Sequence, residues 1–270
     1  MTDRPSWAPQ DIDITKPSAS RIYDYFLGGS HNFEVDRQAA AAALRAMPGV
    51  PAISQANRAV MHRAIRYALD LGITQFLDIG SGIPTFGSSH EVAQKADPRA
   101  RVVYVDNDPV AFAHSRAVLD GNENAAVAAA DLRDPQSVLG HPETRRLLDL
   151  GRPIALLLVA VVHFLSDADR PAEVIATLRD ALAPGSIMVI THATLEHGPT
   201  PTGQRAVQEV YQRTSTPLIM RSAGELEPFF AGFDIIEPGI VPLPYWRPDV
   251  PGDDHDPAVL HGLAGVGLKA

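Results

Sequence analysis

Short apolar runs alternate with amphipathic stretches through the middle of the chain, between residues 53 and 196. The apolar runs predict strands at residues 75–79, 101–105, 125–129, 154–159 and 186–191. The stretches around them predict helices at residues 53–71, 88–96, 109–119, 142–150 and 171–182. Apolar runs this short are typical of strands covered on both faces, as in a parallel sheet. The alternation therefore predicts a doubly wound α/β fold, in which ligands bind at the carboxyl ends of the strands.

The two ends of the chain depart from this pattern. Residues 1–52 carry several prolines, a glycine pair and a short helical pattern, which predict an N-terminal helical lid. Residues 197–270 predict a helix or two, a proline-rich loop and two last strands, at 233–236 and 262–269, that pair antiparallel. We therefore expect a Rossmann-like sheet, mostly parallel with an antiparallel last strand. Residues 53–270 would form one structural unit behind the lid.

Composition narrows the chemistry. The chain has no cysteine, which excludes disulfides, zinc–thiolate sites, iron–sulfur clusters and thiol nucleophiles. Its ten histidines fall at no common metal-ligand spacing, so we expect no metal site. The formal net charge of −9 argues against nucleic acid as a partner. No apolar run reaches the ~18 residues of a membrane span and the N-terminus is polar, so we expect a cytoplasmic protein. A homodimer is left open as its assembly.

A glycine-rich turn follows the first predicted strand, where residues 77–82 read Leu-Asp-Ile-Gly-Ser-Gly. Gly80 and Gly82 permit a tight turn and let a ligand approach the backbone around Ser81 closely. Asp78 offers an acceptor to the ligand or to the loop amides. A plain turn joining strand to helix is the alternative interpretation of these residues.

The residues after this turn bear on the type of cofactor. A dinucleotide site needs a third glycine or alanine at position 85, followed directly by a helix. This chain has Thr85 at that position and Pro84 before it, so no regular helix runs through the loop. The loop therefore favours a cofactor that has no pyrophosphate group.

Acidic residues also follow the second and third predicted strands. Asp106 lies 24 residues after Gly82, close to the ~20 expected for an acid that accepts ribose hydroxyls, and Asn107 adjoins it. Asp131 follows the third strand, where its carboxylate would accept from an adenine amine while the amide of Leu132 donates to a ring nitrogen. The alternative for each acid is a helix cap, which we expect of Asp108 in particular.

Three segments, residues 77–85, 102–109 and 130–135, together resemble the class I S-adenosylmethionine-dependent methyltransferases. More narrowly, the chain resembles the actinobacterial family known only as "S-adenosyl methyltransferase". That family's pattern also matches residues 17–29, 32–33, 36–37, 90–94 and 182–186. The resemblance covers almost the whole chain and implies S-adenosylmethionine as the cofactor. It implies that Gly80, Ser81 and Gly82 lie beside the methionine moiety, Asp106 at the ribose and Asp131 at the adenine.

Candidate residues on the acceptor side are less specific. In the lid, we expect Tyr25 or Asn32 to face the cofactor or the methyl acceptor, the alternative being a helix packed on the sheet edge. His163 and His192 follow the fourth and fifth strands, where either would act as a general base for a hydroxyl. A partly buried, satisfied histidine is the alternative for His163. The loop at 238–257, with Tyr245 and Trp246, either covers the acceptor or anchors itself to the body.

These observations predict a methyltransferase that moves a methyl group to an oxygen or nitrogen nucleophile of a small molecule. One alternative is a regulatory protein that binds S-adenosylmethionine or a nucleoside without catalysis. A second, less favoured alternative is an NAD-dependent oxidoreductase, against which Thr85 argues.

Overall fold

The computed structural model describes residues 13–84, 87–197, 201–212, 214, 216–250 and 257–270. Thr85, on which part of the cofactor argument rests, lies outside these residues. The first twelve residues of the predicted lid and residues 251–256 of the proline-rich loop also lie outside them.

The described strands form one mixed sheet. They are β1 (Gln75–Ile79), β2 (Arg101–Asp106), β3 (Ala125–Ala129), β4 (Ala155–Val159), β5 (Ile187–Ala193), β6 (Phe233–Ile235), β7 (Val241–Pro242) and β8 (Gly262–Lys269). Their order is β3-β2-β1-β4-β5-β8-β6, and β7 also pairs with β8. Strands β1 to β5 are mutually parallel, whereas β8 runs antiparallel to β5, β6 and β7. This confirms the predicted Rossmann-like sheet of the class I methyltransferases with its antiparallel end.

The helices include the five predicted in the middle of the chain, each close to its predicted position, and others at the two ends of the chain, for which no bounds were predicted. They are α1 (Ala19–Phe26), α2 (Glu34–Ala46), α3 (Val50–Asp70), α4 (Ser89–Ala96), α5 (Pro109–Val118), α6 (Pro135–Gly140), α7 (Pro142–Leu147), α8 (Pro171–Ala181), α9 (Pro201–Tyr211) and α10 (Ala223–Leu226). Helix α7 ends earlier than predicted because Leu148 takes an extended conformation. Helix α6 and strand β7 were not predicted from the sequence. None of the described helices combines the length and the apolar character that crossing a bilayer requires.

Both faces of the sheet are buried. Leu77 on one face belongs to a cluster that includes Ile175 and Leu178 of α8. Its neighbour Phe76, on the other face, packs in a cluster with Val60 of α3. All five residues of β1 are buried, as expected of a central parallel strand.

A third apolar cluster lies off the sheet and joins α1, α2 and α9, which we call the helical cap. Ile22 and Phe26 of α1 pack there with Ala40 of α2 and Val207 of α9. The cap thus combines the predicted N-terminal lid with a helix that follows β5. The predicted boundary at residue 52 falls within α3.

Candidate functional site

A cavity of about 550 Å³ lies where the carboxyl ends of β1 to β5 meet the helical cap. One side, which we call the cofactor side, is lined by residues at the ends of β1, β2 and β3 and just after them, and by residues 13 and 16–21 of the N-terminal arm. The other side we call the apolar lobe; it is lined by Phe26, Val50, Phe164, Val207 and Leu218, with several polar residues between them. The volume is within the range of small-molecule sites, and the location is the one expected for a doubly wound sheet.

The glycine loop after β1 turns sharply at two left-handed residues. Gly80 has a φ of +70° and Gly82 a φ of +65°, a region that L side chains rarely occupy. The amides of Gly80 and Ser81 donate to the carbonyl of Val105 at 2.8 and 3.2 Å, and the amide of Gly82 donates to Asp106 Oδ2 at 2.7 Å. These three amides are therefore already hydrogen-bonded within the protein, and the loop does not offer them as a cradle for phosphate.

Asp106 at the end of β2 is buried and faces the cavity. Besides Gly82, its carboxylate accepts from the amide of Asp108 at 2.8 Å through Oδ1. Burial raises its pKa to about 6, the nearby Asp108 carboxylate adding to the rise while the two amides oppose it. Asp108 itself caps α5, accepting from Val110 and Ala111, which confirms its predicted role. A carboxylate has about four lone-pair sites, so Asp106 still has room for ribose hydroxyls.

Asp78 lies within β1, almost entirely buried under the loop, and lines the same side of the cavity. Its Oδ2 accepts from the hydroxyl of Ser89, at the start of α4, at 2.6 Å. Burial raises the pKa of Asp78 to about 6, opposed by the Ser89 hydrogen bond and by the charge of Arg58. The hydroxyl of Ser81, which also lines the cavity, is buried and has no hydrogen-bond partner among the described residues.

Asp131 follows β3 at the rim of the same side. It accepts from Asn107 Nδ2 at 2.9 Å and pairs with the guanidinium of Arg133 at 2.6 Å. Burial acts to raise its pKa, but the hydrogen bonds from Arg133 and Asn107 outweigh it and lower the pKa to about 2. The amide of the adjoining Leu132 has no acceptor among the described residues. This rim therefore offers a carboxylate acceptor beside a free amide donor, the pattern that an adenine edge requires.

The order of these groups fits an adenosine with an attached amino acid better than a dinucleotide. Three groups follow one another along the ends of adjacent strands: Asp131 after β3, Asp106 at the end of β2, and the unpaired hydroxyl of Ser81 after β1. A profile of the family described as S-adenosyl methyltransferase matches residues 5–270. The chain belongs to that family.

Solved structures agree with this membership. A methyltransferase candidate from Thermobifida fusca YX is 41% identical, with 98% of this chain and 99% of that chain covered and a TM-score of 0.92. A DUF574 family protein from Streptomyces avermitilis MA-4680 is 37% identical, with coverage of 96% and 99% and a TM-score of 0.90. No curated protein gives a significant match. The chain is thus an S-adenosylmethionine-dependent methyltransferase, and no group of metal-ligating side chains is found among its described residues.

The structure brings most predicted cofactor residues of this methyltransferase to one cavity, but not Tyr25 and Asn32. The amide of Asn32 donates to Asp24 at 2.9 Å and to the carbonyl of Gly29 at 3.0 Å, which holds the loop between α1 and α2. Tyr25 is half-buried and packs against the apolar cluster of the cap. The tyrosine of α1 that does line the cavity is Tyr23, on another face of the helix.

His163 and His192 both line the cavity, with ring centroids 5.5 Å apart. Nδ1 of His192 lies 2.8 Å from the carbonyl of Ala193 and must carry the proton, while Nε2 accepts from Arg221 at 3.4 Å. Nδ1 of His163 accepts from the amide of Ala193 at 3.3 Å, so its proton is on Nε2. Burial lowers both pKa values, that of His192 to about 4 and that of His163 well below 6.5. Both rings are therefore neutral at neutral pH, and neither directs a free lone pair at the cavity.

A buried cluster of charged side chains lies next to the cofactor side of the cavity. It was not predicted from the sequence. Arg21 of α1 donates to Asp36 at 2.8 Å and to Asp108 at 3.2 Å, with all three side chains buried. Ser18 donates to both acids, through its amide to Asp36 and its hydroxyl to Asp108. The cluster ties the N-terminal arm to the acid that adjoins Asp106. No local pattern signals it, since Arg21 and Asp108 are 87 positions apart.

The described part of the proline-rich loop packs on α3. Trp246 is fully buried in the cluster beneath α3, and Arg63 donates to its carbonyl at 2.8 Å and to that of Leu243 at 2.9 Å. Tyr245 remains exposed and does not line the cavity. Of the two roles considered for this loop, the anchoring one is observed for Trp246.

Proposed function

We propose that the protein transfers a methyl group from S-adenosylmethionine to an oxygen or nitrogen nucleophile of a small molecule. The observation that carries this proposal is the continuity of the cavity. A single space runs from the carboxylates after β1, β2 and β3 to the apolar lobe under the helical cap. A cofactor on the first side would therefore present its reactive end to an acceptor on the second.

The residues of the first side match the parts of the cofactor. Asp106 would accept from the ribose hydroxyls, as acids at the tip of a second strand do in such folds. Asp131 and the free amide of Leu132 would take the adenine edge, with Asn107 holding Asp131 in place. Asp78 and the orphaned hydroxyl of Ser81 would face the amino-acid end. When bound, S-adenosylmethionine supplies a methyl group that is already activated by its sulfonium.

Because the methyl group arrives activated, the protein's own task is to orient the acceptor and to exclude water. Holding two reactants in register is worth ~7–11 kcal/mol in favourable cases. The apolar lobe suits this task, since its wall residues come from α1, α3 and α9 and pack as part of the cap. A small apolar acceptor fits these walls better than a charged polymer does, in keeping with the net charge of −9.

Calorimetric titration with S-adenosylhomocysteine, and separately with NAD, tests the cofactor assignment. We expect the homocysteine compound to bind and NAD not to bind. Asp106→Ala removes an acceptor whose hydrogen bonds to hydroxyls are worth about 1.5–3 kcal/mol each. The affinity of this variant for S-adenosylhomocysteine should therefore fall at least tenfold. Asp120→Ala, an exposed acid after α5, is the matched control and should bind normally. Unchanged affinity in a folded Asp106→Ala protein would overturn the assignment of the ribose site.

Transfer itself is tested with S-adenosyl[methyl-³H]methionine and the small-molecule fraction of the source cells. We expect label to appear in a new small molecule only when the wild-type protein is present. Label that appears solely in protein or nucleic acid would contradict the small-molecule part of the proposal. Binding of cofactor with no transfer to any fraction would contradict the transfer itself.

A further inference from the structure

The carboxylates of the cavity all lie on its cofactor side. Those among the described lining residues are Asp13, Asp78, Asp106, Asp108 and Asp131. Among the described residues, the walls that come from β4, β5 and the helical cap contribute no carboxylate. A positive charge formed in the apolar lobe would therefore have no counter-ion, and an unpaired buried charge is strongly disfavoured. An amine acceptor, whose methylated product is a cation at neutral pH, suits this lobe poorly.

Several polar groups of the lobe are already committed to one another. Thr191 of β5 donates to the Oδ1 of Asn57, and Asn57 Nδ2 donates to the Tyr23 hydroxyl at 2.9 Å. Tyr23 in turn donates to the carbonyl of Ser54 at 3.2 Å, and burial raises its pKa. Thr191 also accepts from the amide of Ala160 at 2.8 Å. This chain links β5, α3 and α1 and leaves no base for an acceptor.

Two of the described lining residues, His163 and Tyr211, carry a donor for which no partner is found among the described residues. The tautomer of His163 places a proton on Nε2, which has no acceptor among the described residues. The hydroxyl of Tyr211 on α9 also lines the lobe without a described partner, and burial raises its pKa, so it stays protonated. His192 uses both of its nitrogens, and His261, at the edge of the lobe, hydrogen-bonds to the backbone of His197. The lobe thus presents donors, and no described side chain is placed there to remove a proton.

Resting on the proposed function, we propose a class of acceptor: an apolar small molecule with an acidic hydroxyl, a phenol or an enol, that reacts as its oxyanion. The Nε2–H of His163 and the hydroxyl of Tyr211 would hydrogen-bond that oxyanion, and the sulfonium of the bound cofactor would be its counter-ion. The apolar lobe would hold the ring or chain that bears it. An acidic hydroxyl needs no protein base, because its proton leaves to solvent before transfer. The histidine thus acts as a hydrogen-bond donor, in place of the general base that the sequence suggested.

The step balances with these groups alone. The oxyanion forms a carbon–oxygen bond to the methyl group, and the carbon–sulfur bond breaks with its electron pair remaining on sulfur. One negative charge and one positive charge disappear together, so a neutral methyl ether and a neutral thioether result. No charge is left in the apolar lobe.

The charge and stability of the labelled product test this class of acceptor. After transfer from S-adenosyl[methyl-³H]methionine to the small-molecule fraction of the source cells, the mixture is extracted with ethyl acetate at acid and at alkaline pH. We expect label in the organic phase at both pH values, unchanged by warm alkali, as for a neutral ether. Label that enters the organic phase only at alkaline pH shows an amine, and label that alkali releases as volatile methanol shows an ester. Either result would overturn the proposal.

Failure of this inference is distinguishable from failure of the proposed function. A protein that does not bind S-adenosylhomocysteine by calorimetry lacks the cofactor site, which refutes the proposed function. A protein that binds it and transfers label to an amine or an ester keeps the proposed function and loses the acceptor class proposed above.

Two variants of His163 separate a donor from a base. His163→Gln keeps an N–H donor near the position of Nε2, whereas His163→Leu removes it. We expect His163→Leu to lower transfer about ten- to one-hundred-fold, as expected on losing a hydrogen bond to a charged oxygen. His163→Gln should retain most of the rate with an unchanged pH profile. His141→Gln, at a histidine that caps α7 outside the cavity, is the matched control and should behave as wild type.

Readouts besides activity complete the test. ¹⁵N NMR of histidine-labelled protein should show His163 as the Nε2–H tautomer and neutral from pH 6 to 9, with His192 and Arg221 the titratable and charged groups that face it. Both His163 variants should bind S-adenosylhomocysteine like wild type. Equal loss of transfer in the two variants would identify His163 as a base, and loss of cofactor affinity would identify it as structural. Each of these results would overturn the donor role.

Discussion

Gly80 lies so close to Val161 that a Cβ atom at Gly80 would be 2.2 Å from Val161 Cγ2. Gly82, two residues later, has a similar left-handed φ but nothing within 4 Å of its would-be Cβ. Both substitutions to alanine pay a backbone term of about 1–2 kcal/mol, because both φ values are positive. Gly80→Ala must in addition displace Val161, an overpacking term of about 1–3 kcal/mol.

We therefore predict that Gly80→Ala lowers the free energy of unfolding by about 1–3 kcal/mol more than Gly82→Ala. Gly80→Ala should also lower the affinity for S-adenosylhomocysteine more than Gly82→Ala does, because the displaced loop carries Ser81. Urea unfolding and calorimetry of the two variants measure these differences. Equal effects of the two substitutions would show that the contact with Val161 has no influence on the loop.

Asp78 predicts a pH dependence of stability in the absence of cofactor. Its pKa of about 6 in the folded protein lies above its ordinary value of 3.8, mainly because of burial. The folded state thus holds more protons than the unfolded state between pH 4 and 6, and through Asp78 stability rises as the pH falls across that range. Above pH 6 Asp78 is ionised in the folded protein, and the whole cost of burying its charge is then subtracted from the free energy of unfolding.

Asp78→Asn has no group to titrate at this position. We expect it to be more stable than wild type at pH 7.5 by on the order of 2 kcal/mol, with the difference vanishing as the pH falls to 4. Urea unfolding at a series of pH values gives the curve. Asp120→Asn serves as the control for the loss of one negative charge. A difference that does not change between pH 4 and 7.5 would refute the raised pKa.

The buried ion cluster predicts a large loss from one substitution. Arg21→Met keeps most of the side-chain volume but leaves Asp36 and Asp108 buried without their cation. Breaking a buried pair in this way costs about 3–5 kcal/mol. Arg146→Met, which breaks an exposed pair with Glu143, should cost less than about 1 kcal/mol.

Urea unfolding of the two arginine variants measures this contrast. Calorimetry should also show weaker S-adenosylhomocysteine binding for Arg21→Met, because Asp108 donates its amide to Asp106 and the N-terminal arm borders the same side of the cavity. A loss similar to that of Arg146→Met would mean that the cluster contributes little.

The parallel part of the sheet could be predicted from the sequence because the patterns that indicate it lie within short segments of the chain. Each of the strands β1 to β5 is short and mostly apolar, and the acids of the cofactor side lie within those runs or a few residues after them. Helix α6 and strand β7 escaped prediction because they are six and two residues long, too short for a period to emerge.

The residues that line the apolar lobe could not be predicted from the sequence, for a different reason. Which face of α1 meets the cavity depends on how α1 packs against α2 and α9, and that packing selects Tyr23 over Tyr25. The tautomer of His163 likewise depends on the amide of Ala193, thirty residues away on β5. Local patterns place a histidine after a strand, but its hydrogen-bond partners are properties of the assembled site.

The contact between α9 and α2 predicts that a glycine-to-alanine substitution within a helix will destabilise the protein, the opposite of the usual effect. Replacing glycine by alanine within a helix normally stabilises a protein, by up to about 1 kcal/mol. At Gly203 of α9, however, a Cβ would lie 2.8 Å from the carbonyl oxygen of Ala46, at the end of α2. A backbone oxygen has no rotamer with which to withdraw, so the two helices must separate.

We expect Gly203→Ala to lower the free energy of unfolding, whereas Gly224→Ala in α10, with nothing within 4 Å, should leave it unchanged or raise it. Because α9 also carries Val207 and Tyr211, Gly203→Ala should reduce methyl transfer while leaving S-adenosylhomocysteine affinity unchanged. Thermal unfolding, calorimetry and the tritium assay test the three parts. A stabilised Gly203→Ala protein would show that α9 does not pack on α2 in this way, and the apolar lobe would then lose one of its walls.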